Sequence, residues 1–371
     1  MELTVRRVVT GHDEDGRPVF VSDGPPPHAV AVPGGPAVAD LWALDGPPLH
    51  PDAGFDPTGG FPIEPPAAGM WWRLVRLPLP DQSLPREQQF LHQGDDPRFS
   101  SQRPGMHATA TLDFAVILDG EIELEAEDGA VRLARGDCVV QRGTQHRWRV
   151  VGDGPCTYAV ALFALDPDAT YPGEPGAAAA LMPRRRADGV GPRRVVVSTG
   201  ANGRSIIDSD GPAPNSHRFL TGTVHADLWQ TGGALGDVAQ GGDVEPVQLQ
   251  LDPIGMGIAW KYVELAPAGA RDAVDADAAR AEMRAVASGF ASTGHHDPDD
   301  PTLHRTDTID LDLILDGDVE LELPGSGSVR LGPGDAVVQR GTWHRWRNHS
   351  ATPAKMLAIM IGAPIGGRKS Q

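Results

Sequence analysis

LARGDCVVQRGTQHRW, running from Leu133 to Trp148, returns as LGPGDAVVQRGTWHRW from Leu331 to Trp346, with twelve of sixteen positions identical and no gap. A second correspondence lies just upstream, where HATATLDFAVILDG from His107 returns as HRTDTIDLDLILDG from His304. The likeness reaches the start of each half. RRVVTGHDEDGRPVFVSDGPPP from Arg6 matches RRVVVSTGANGRSIIDSDGPAP from Arg193, and Ala39-Asp40-Leu41-Trp42 matches Ala226-Asp227-Leu228-Trp229. Self-similarity at a period of roughly 190 residues means two copies of one fold, built from one ancestral unit. The expected organisation is a first domain over 1–170, a linker over 171–192 and a second domain over 193–371. The linker is read from Asp166 to Pro192, which carries no periodic pattern.

Composition narrows the partners. Fifty acidic against thirty-two basic residues give a formal charge of −18, which repels phosphate backbones and anionic bilayers. Nucleic acid and membrane surfaces are therefore not expected partners. No basic segment followed by an apolar stretch stands at Met1, and no run of about 18 uncharged apolar residues occurs, so a cytoplasmic protein is expected. The 45 Gly and 35 Pro punctuate short runs without forming a low-complexity tract. The two cysteines, Cys138 and Cys156, lie in the first copy alone and read as small buried apolar residues.

Runs such as Arg6 to Val9, Pro18 to Val21, Trp72 to Leu77, Ala115 to Ile117, Glu121 to Glu125 and Val131 to Leu133 are short and rich in Val, Ile and Leu. Bounded by Gly, Pro or Asp-Gly, they read as strands of a barrel or sandwich. Asp119-Gly120 and Asp316-Gly317 read as hairpin turns. Glu121, Glu123 and Glu125 alternate with Ile122 and Leu124, as Glu320 and Glu322 do with Val319, Leu321 and Leu323, which predicts one wet and one buried face. Helical periodicity is confined to Asp275–Ser288, with a shorter stretch near Arg86 to His92. The class is all-β.

Residues two apart on a strand share a face, so His107, Thr109, Thr111 and Asp113 form one row, and His304, Thr306, Thr308 and Asp310 another. About thirty residues later each copy carries Gly143-x-x-His146 or Gly341-x-x-His344. Two histidines and a carboxylate from neighbouring strands are thereby aimed at one place in each copy. Strand parity adds Ala115 to the first row and Asp312 to the second, and places Trp148 and Trp346 on the side of the motif histidines. The other paired tryptophans, Trp42 with Trp229 and Trp72 with Trp260, read first as core. Arg142, Arg147, Arg340 and Arg345 read as rim salt bridges ahead of a carboxylate clamp.

These motifs resemble those of the cupin superfamily, whose two signatures have the form H-x-H-x(3,4)-E-x(6)-G and G-x(5)-P-x-G-x(2)-H-x(3)-N. Counted back from Gly120, Asp113 takes the Glu position, Thr109 the second His and His107 the first; Gly143 and His146 supply the second signature. The other copy offers His304, Thr306, Asp310 and Gly317, then Gly341, His344 and Asn348. The resemblance covers roughly 100–165 and 300–362 and implies two tandem antiparallel double-stranded β-helix (jelly-roll) barrels, a bicupin. It also implies a metal cage that this chain departs from: Thr replaces the second His, Asp replaces Glu, Gln141 and Gln339 take the Pro position, and Val150 stands where the second copy has Asn348.

Two histidines and one carboxylate per barrel match the ligand count of a facial triad. The leading expectation is a divalent metal, Fe, Mn, Ni or Zn, held by His107, Asp113 and His146 and by His304, Asp310 and His344. Thr109, Thr111, Trp148, Thr306, Thr308, Asp312, Trp346 and Asn348 would position a small oxygenated, carbonyl, enol or aromatic substrate in dioxygenase or lyase chemistry of bacterial secondary or aromatic metabolism. The alternatives are a metal-free isomerase, cyclase or dehydratase with the His and Asp as general acid and base, and a non-catalytic ligand binder. Walker, dinucleotide, Gly-x-Ser-x-Gly and Cys-x-x-Cys signatures are missing, so no nucleotide cofactor is expected. His295-His296 reads as part of a surface lid. Either a monomer or a homodimer suits a chain that pairs two barrels internally.

Overall fold

The computed structural model describes residues 3–58, 60–81, 83–85, 98–165, 189–232, 249–288, 294–297, 300 and 302–363. The short apolar runs become strands of two eight-stranded sheets, each backed by a three-stranded one. The first large sheet runs in the order Ser205–Pro212, Arg193–Thr199, Cys138–Arg142, Thr111–Asp119, Cys156–Ala164, Met70–Leu77, Ala37–Leu44 and His28–Ala31. The second repeats it with Pro18–Gly24, Arg7–His12, Ala336–Arg340, Thr308–Asp316, Ala354–Gly362, Ile258–Leu265, Val224–Gln230 and Asn215–Arg218. The small sheets are Arg147–Val151, Glu121–Glu125 and Ala130–Ala134, and Arg345–Asn348, Val319–Leu323 and Gly327–Leu331.

The halves exchange their first hairpins. Arg7–His12 pairs in parallel with Ala336–Arg340, and Arg193–Thr199 with Cys138–Arg142. Matched ion pairs fix the exchange: Arg6 bridges Asp23 (2.6 Å) and Asp335 (3.2 Å), and Arg193 bridges Asp210 (2.7 Å) and Asp137 (2.8 Å). A strand of either half thus completes the sheet of the other, so the sequence halves 1–170 and 193–371 do not coincide with the two sheets.

One apolar cluster runs through both large sheets, with Phe114 stacked on Trp260 at 4.9 Å. Trp42, Trp72, Trp229 and Trp260 belong to it, as their core reading required. Arg142 lies over Trp229 at 5.4 Å and Arg340 over Trp42 at 5.7 Å, so these two arginines join the halves by cation–π contact in place of the rim role expected of them. Separate clusters fill the space between the large and small sheet of each barrel. Cys138 and Cys156 are free and buried.

Two turn and face expectations are corrected. Asp119-Gly120 and Asp316-Gly317 are corners at which the chain leaves a large sheet for the small one, since the strands on either side pair with other partners. The glycines adopt φ of 77° and 76°, and a Cβ on Gly120 would stand 2.4 Å from the Pro155 carbonyl oxygen; the dipeptide signals the left-handed corner without saying which strand follows as neighbour. The face expected to be wet stays so in the first copy only at Glu121: Glu123 and Glu125 are buried against Arg149 (3.2 Å) and Arg147 (2.9 Å). In the second copy Glu320 and Glu322 remain half-exposed.

The helix predicted over Asp275–Ser288 is Ala276–Val286, opened by the Asp275 side chain accepting from the Ala278 amide at 2.8 Å. The stretch near Arg86 to His92 lies outside the described residues, as does most of the linker. Among the described residues no helix is long and apolar enough to cross a membrane.

Candidate functional site

Each barrel brings its two motif histidines face to face. His107 and His146 exchange main-chain hydrogen bonds of 2.9 and 2.8 Å, and their rings lie 4.3 Å apart; His304 and His344 do the same at 3.0 and 2.9 Å, with rings 4.4 Å apart. All four Nδ1 atoms sit 2.8–3.1 Å from a carbonyl oxygen, of Gly105, Thr144, Thr302 and Thr342. A carbonyl only accepts, so Nδ1 carries the proton and Nε2 the lone pair. Burial, and then the neighbouring imidazole, pushes His146 and His344 down to about 3, and burial lowers His304.

The carboxylates sit elsewhere on the strand. Asp113 stands opposite Gln141 and Leu162, and Asp310 opposite Gln339 and Met360, each six residues along the chain from His107 or His304. Their Oδ1 atoms are buried without a partner. Thr111 donates to Thr109 at 2.8 Å, and the Thr306 and Thr308 hydroxyls are 2.6 Å apart, so the threonine row is a hydrogen-bonded rail that ends at the acid. Burial raises Asp113 to about 7, with the charge of Glu64 adding to it. Asp310 and Asp312 are both raised, by burial first and, for Asp312, by the facing charge of Asp310.

A metal cage does not form from these side chains. Among the described residues no group of three or more His, Cys, Asp or Glu converges where it could hold a metal ion. Of the expected ligand sets His107, Asp113, His146 and His304, Asp310, His344, the structure brings the two histidines of each set into ring contact and holds Asp113 and Asp310 as buried acids.

The second barrel holds a cavity of about 500 Å³. His304, His344, Thr306, Asp310, Asp312 and Trp346 line it. His225, Asp252, Lys261, Arg271, Met283 and His296 line it too and were not anticipated. Thr308, a member of the rail, is wholly buried. Asn348 is not at the site: its Nδ2 donates to the Thr352 carbonyl at 2.7 Å and its Oδ1 accepts from Ser350, so it staples its own turn. His296 pairs with His304 across a short ladder and stacks on it at 5.5 Å, which brings the predicted lid loop to the site. Lys261 is buried on Asp227, and burial lowers its pKa. The helix Ala276–Val286 covers the mouth, tied down by Glu282, which meets His217 at 3.0 Å and accepts from the Leu220 amide at 2.7 Å.

The first barrel carries other side chains at the matching places. Val38 stands for His225, Trp71 for Ala259, Ala115 for Asp312, Tyr158 for Met356 and Val160 for Ala358. Trp71, Ala115, Val160 and Leu162 are buried in its interior cluster, with Tyr158 and Trp148 packed against them.

Residues 295–360 match the family model described as Cupin domain. A 65-residue stretch is 51% identical to oryzines biosynthesis cluster protein J of Aspergillus oryzae, covering 17% of this chain and 35% of that protein. The chain spans about a third of the length of the first curated relatives it matches. A cupin-domain-containing oxidoreductase of Aspergillus ruber is 26% identical over 170 residues, 45% of this chain and 75% of that one. Among solved structures, an oxalate decarboxylase formate complex of Lactobacillus farciminis aligns over 90% of this chain and 83% of its own at 10% identity, with a TM-score of 0.38.

Proposed function

We propose that this chain, which belongs to the cupin superfamily, is an enzyme whose second barrel moves a proton on a small oxygenated organic molecule by general acid–base catalysis. The observation that carries the reading is the set of groups converging on one cavity: two neutral histidines presenting lone pairs and two buried carboxyls whose ionised forms are disfavoured. A carboxyl raised toward neutrality can both take and return a proton near pH 7. The ionised Asp310 accepts a proton from carbon next to a carbonyl while the protonated Asp312 hydrogen-bonds the oxygen and hands over its proton as charge develops there. The dienol formed in this way from a β,γ-unsaturated carbonyl compound then returns the oxygen's proton to Asp312 and takes the Asp310 proton at its γ-carbon. The sum is an isomerisation that needs no oxidant, and loss of a hydroxyl as water in place of the last step gives a dehydration.

His304 and His344 accept hydrogen bonds from substrate hydroxyls through Nε2, and the helix Ala276–Val286 keeps water from the acid pair. The test is deuterium incorporation from D2O into a panel of cyclic ketones and enols, followed by NMR with wild type and Asp310→Asn, before and after dialysis against chelator. The expected result is exchange that survives the chelator and disappears in the variant. Exchange or turnover lost to chelator and restored by Fe, Mn, Ni or Zn would replace this reading with the metal-dependent one.

A further inference from the structure

The duplication supplies the second barrel with an internal reference for its occupant. In the first barrel the Tyr158 ring lies on Trp148 with centroids 5.7 Å apart and 12° from parallel. Trp148 stands edge-on to His146 at 6.3 Å and 85°, and Trp346 holds the same pose to His344 at 6.3 Å and 81°. The tryptophan is thus presented in the same way twice. What covers it differs: the register that pairs Tyr158 with Val75 pairs Met356 with Val263, and among the described residues no ring stacks on Trp346. The cavity of about 500 Å³ opens along Trp346, Met356, Ala358 and Met360, within the size range of small-molecule sites.

The polar end of the cavity selects against charge. Of the cations lining it, Lys261 is held by Asp227 and Arg280 by Asp277, which leaves Arg271 against three aspartates. An anionic group carried inward would meet Asp252, Asp310 and Asp312, whereas a hydroxyl can donate to the partnerless Oδ1 of Asp310 and accept from a protonated carboxyl.

We propose that the second barrel takes a flat, uncharged ring bearing a hydroxyl group, seated on Trp346 as the phenol of Tyr158 is seated on Trp148. The ligand occupies the place that the first barrel fills with its own side chain. This rests on the second barrel being the functional site and adds the class of substrate to it.

The experiment is calorimetric titration of the full chain with p-cresol, the side chain of tyrosine as a free molecule, alongside benzoate, benzylamine and cyclohexanone. One equivalent of p-cresol should bind, with benzoate and benzylamine at least about tenfold weaker. Met356→Tyr, with its fold checked by circular dichroism and melting, should weaken p-cresol at least about tenfold by supplying the ring itself. The reciprocal Trp71→Ala/Tyr158→Met variant should bind a second equivalent, an outcome that misfolding cannot imitate. No p-cresol binding, undiminished binding to Met356→Tyr, or tighter binding of benzylamine would overturn the proposal. Cyclohexanone binding that Met356→Tyr blocks, without p-cresol binding, would overturn the ring alone and leave the second barrel as the site; absence of binding by both would count against each.

Discussion

The two barrels hold the same frame and different contents. Both pair their histidines at nearly the same separation, aim a threonine rail at a buried acid, and set a tryptophan edge-on to the inner histidine. In the first barrel Trp71, Tyr158 and Val160 pack the interior, and Glu125 is buried on Arg147. In the second, Ala259, Met356 and Ala358 replace them, a second carboxyl and a further histidine enter, and the corresponding ion pair is half-exposed. On the proposed reading, a duplicated unit in which one copy packs its interior and the other opens it leaves stability to the first and chemistry to the second. Preserved motif residues alone would not separate the two roles, because they are preserved in both.

The sharpest way to break this comparison is to remove the same acid from each barrel. Asp310→Asn should lower turnover by about 10²–10⁴-fold, the range for loss of a positioned acid or base, while Asp113→Asn leaves turnover unchanged. Steady-state rates on whichever substrate the exchange screen identifies decide it, and equal losses from both variants would mean that both barrels work. The corresponding contrast in stability comes from the ion pairs. Arg147 is fully buried and bonded twice to Glu125 and once to the Pro104 carbonyl. Arg147→Ala removes two charge-assisted hydrogen bonds from buried Glu125, leaving it Arg103, and should cost about 2–3 kcal/mol. Arg345→Ala removes a half-exposed partner of Glu322 and Asp300 and should cost about 1 kcal/mol or less. Urea midpoints of the two variants measure the difference, and similar values would show that burial of the small sheet does not distinguish the barrels.

How much of this was legible in the sequence follows from the range of each signal. The repeat, the strands and the histidine pairing were legible because they rest on local alternation and on comparison of one copy with the other. The helix was legible from its period, with Asp275 as cap. The hairpin exchange was not, since an apolar run such as Val8-Val9 states that a strand forms and not which sheet receives it; for the strand Arg7–His12 the receiving sheet lies more than 320 residues away. Burial of Glu123 and Glu125 depends on arginines of another strand, and Asn348 was claimed by a turn four residues long. His225 could have been found, as a histidine where the first copy has Val38, whereas Lys261 answers to Arg73 of the first copy, each paired with the aspartate of the adjacent strand.

The smallest expected effect tests whether the two kinds of buried group in the first barrel oppose each other in pH. Asp113 is raised from 3.8 to about 7 in the folded protein, so its contribution to stability is intact below pH 3.8 and is lost as pH rises through 7. His146 is lowered from 6.5 to about 3, so its contribution is intact above pH 6.5 and is lost as pH falls toward 3. Between about pH 4 and 6.5 one slope cancels the other. Asp113→Asn removes the first and keeps the second. The variant should therefore match wild type near pH 4 and gain on it steadily up to pH 7, beyond which the gap stays constant at about 1–3 kcal/mol, short of the full linkage value because the folded barrel relaxes around the charge. Urea midpoints at pH 4, 5, 6, 7 and 8 trace the gap; one that is the same at every pH would mean that Asp113 is ionised in the folded barrel, and the polar rail would then have to be read as built around a charge.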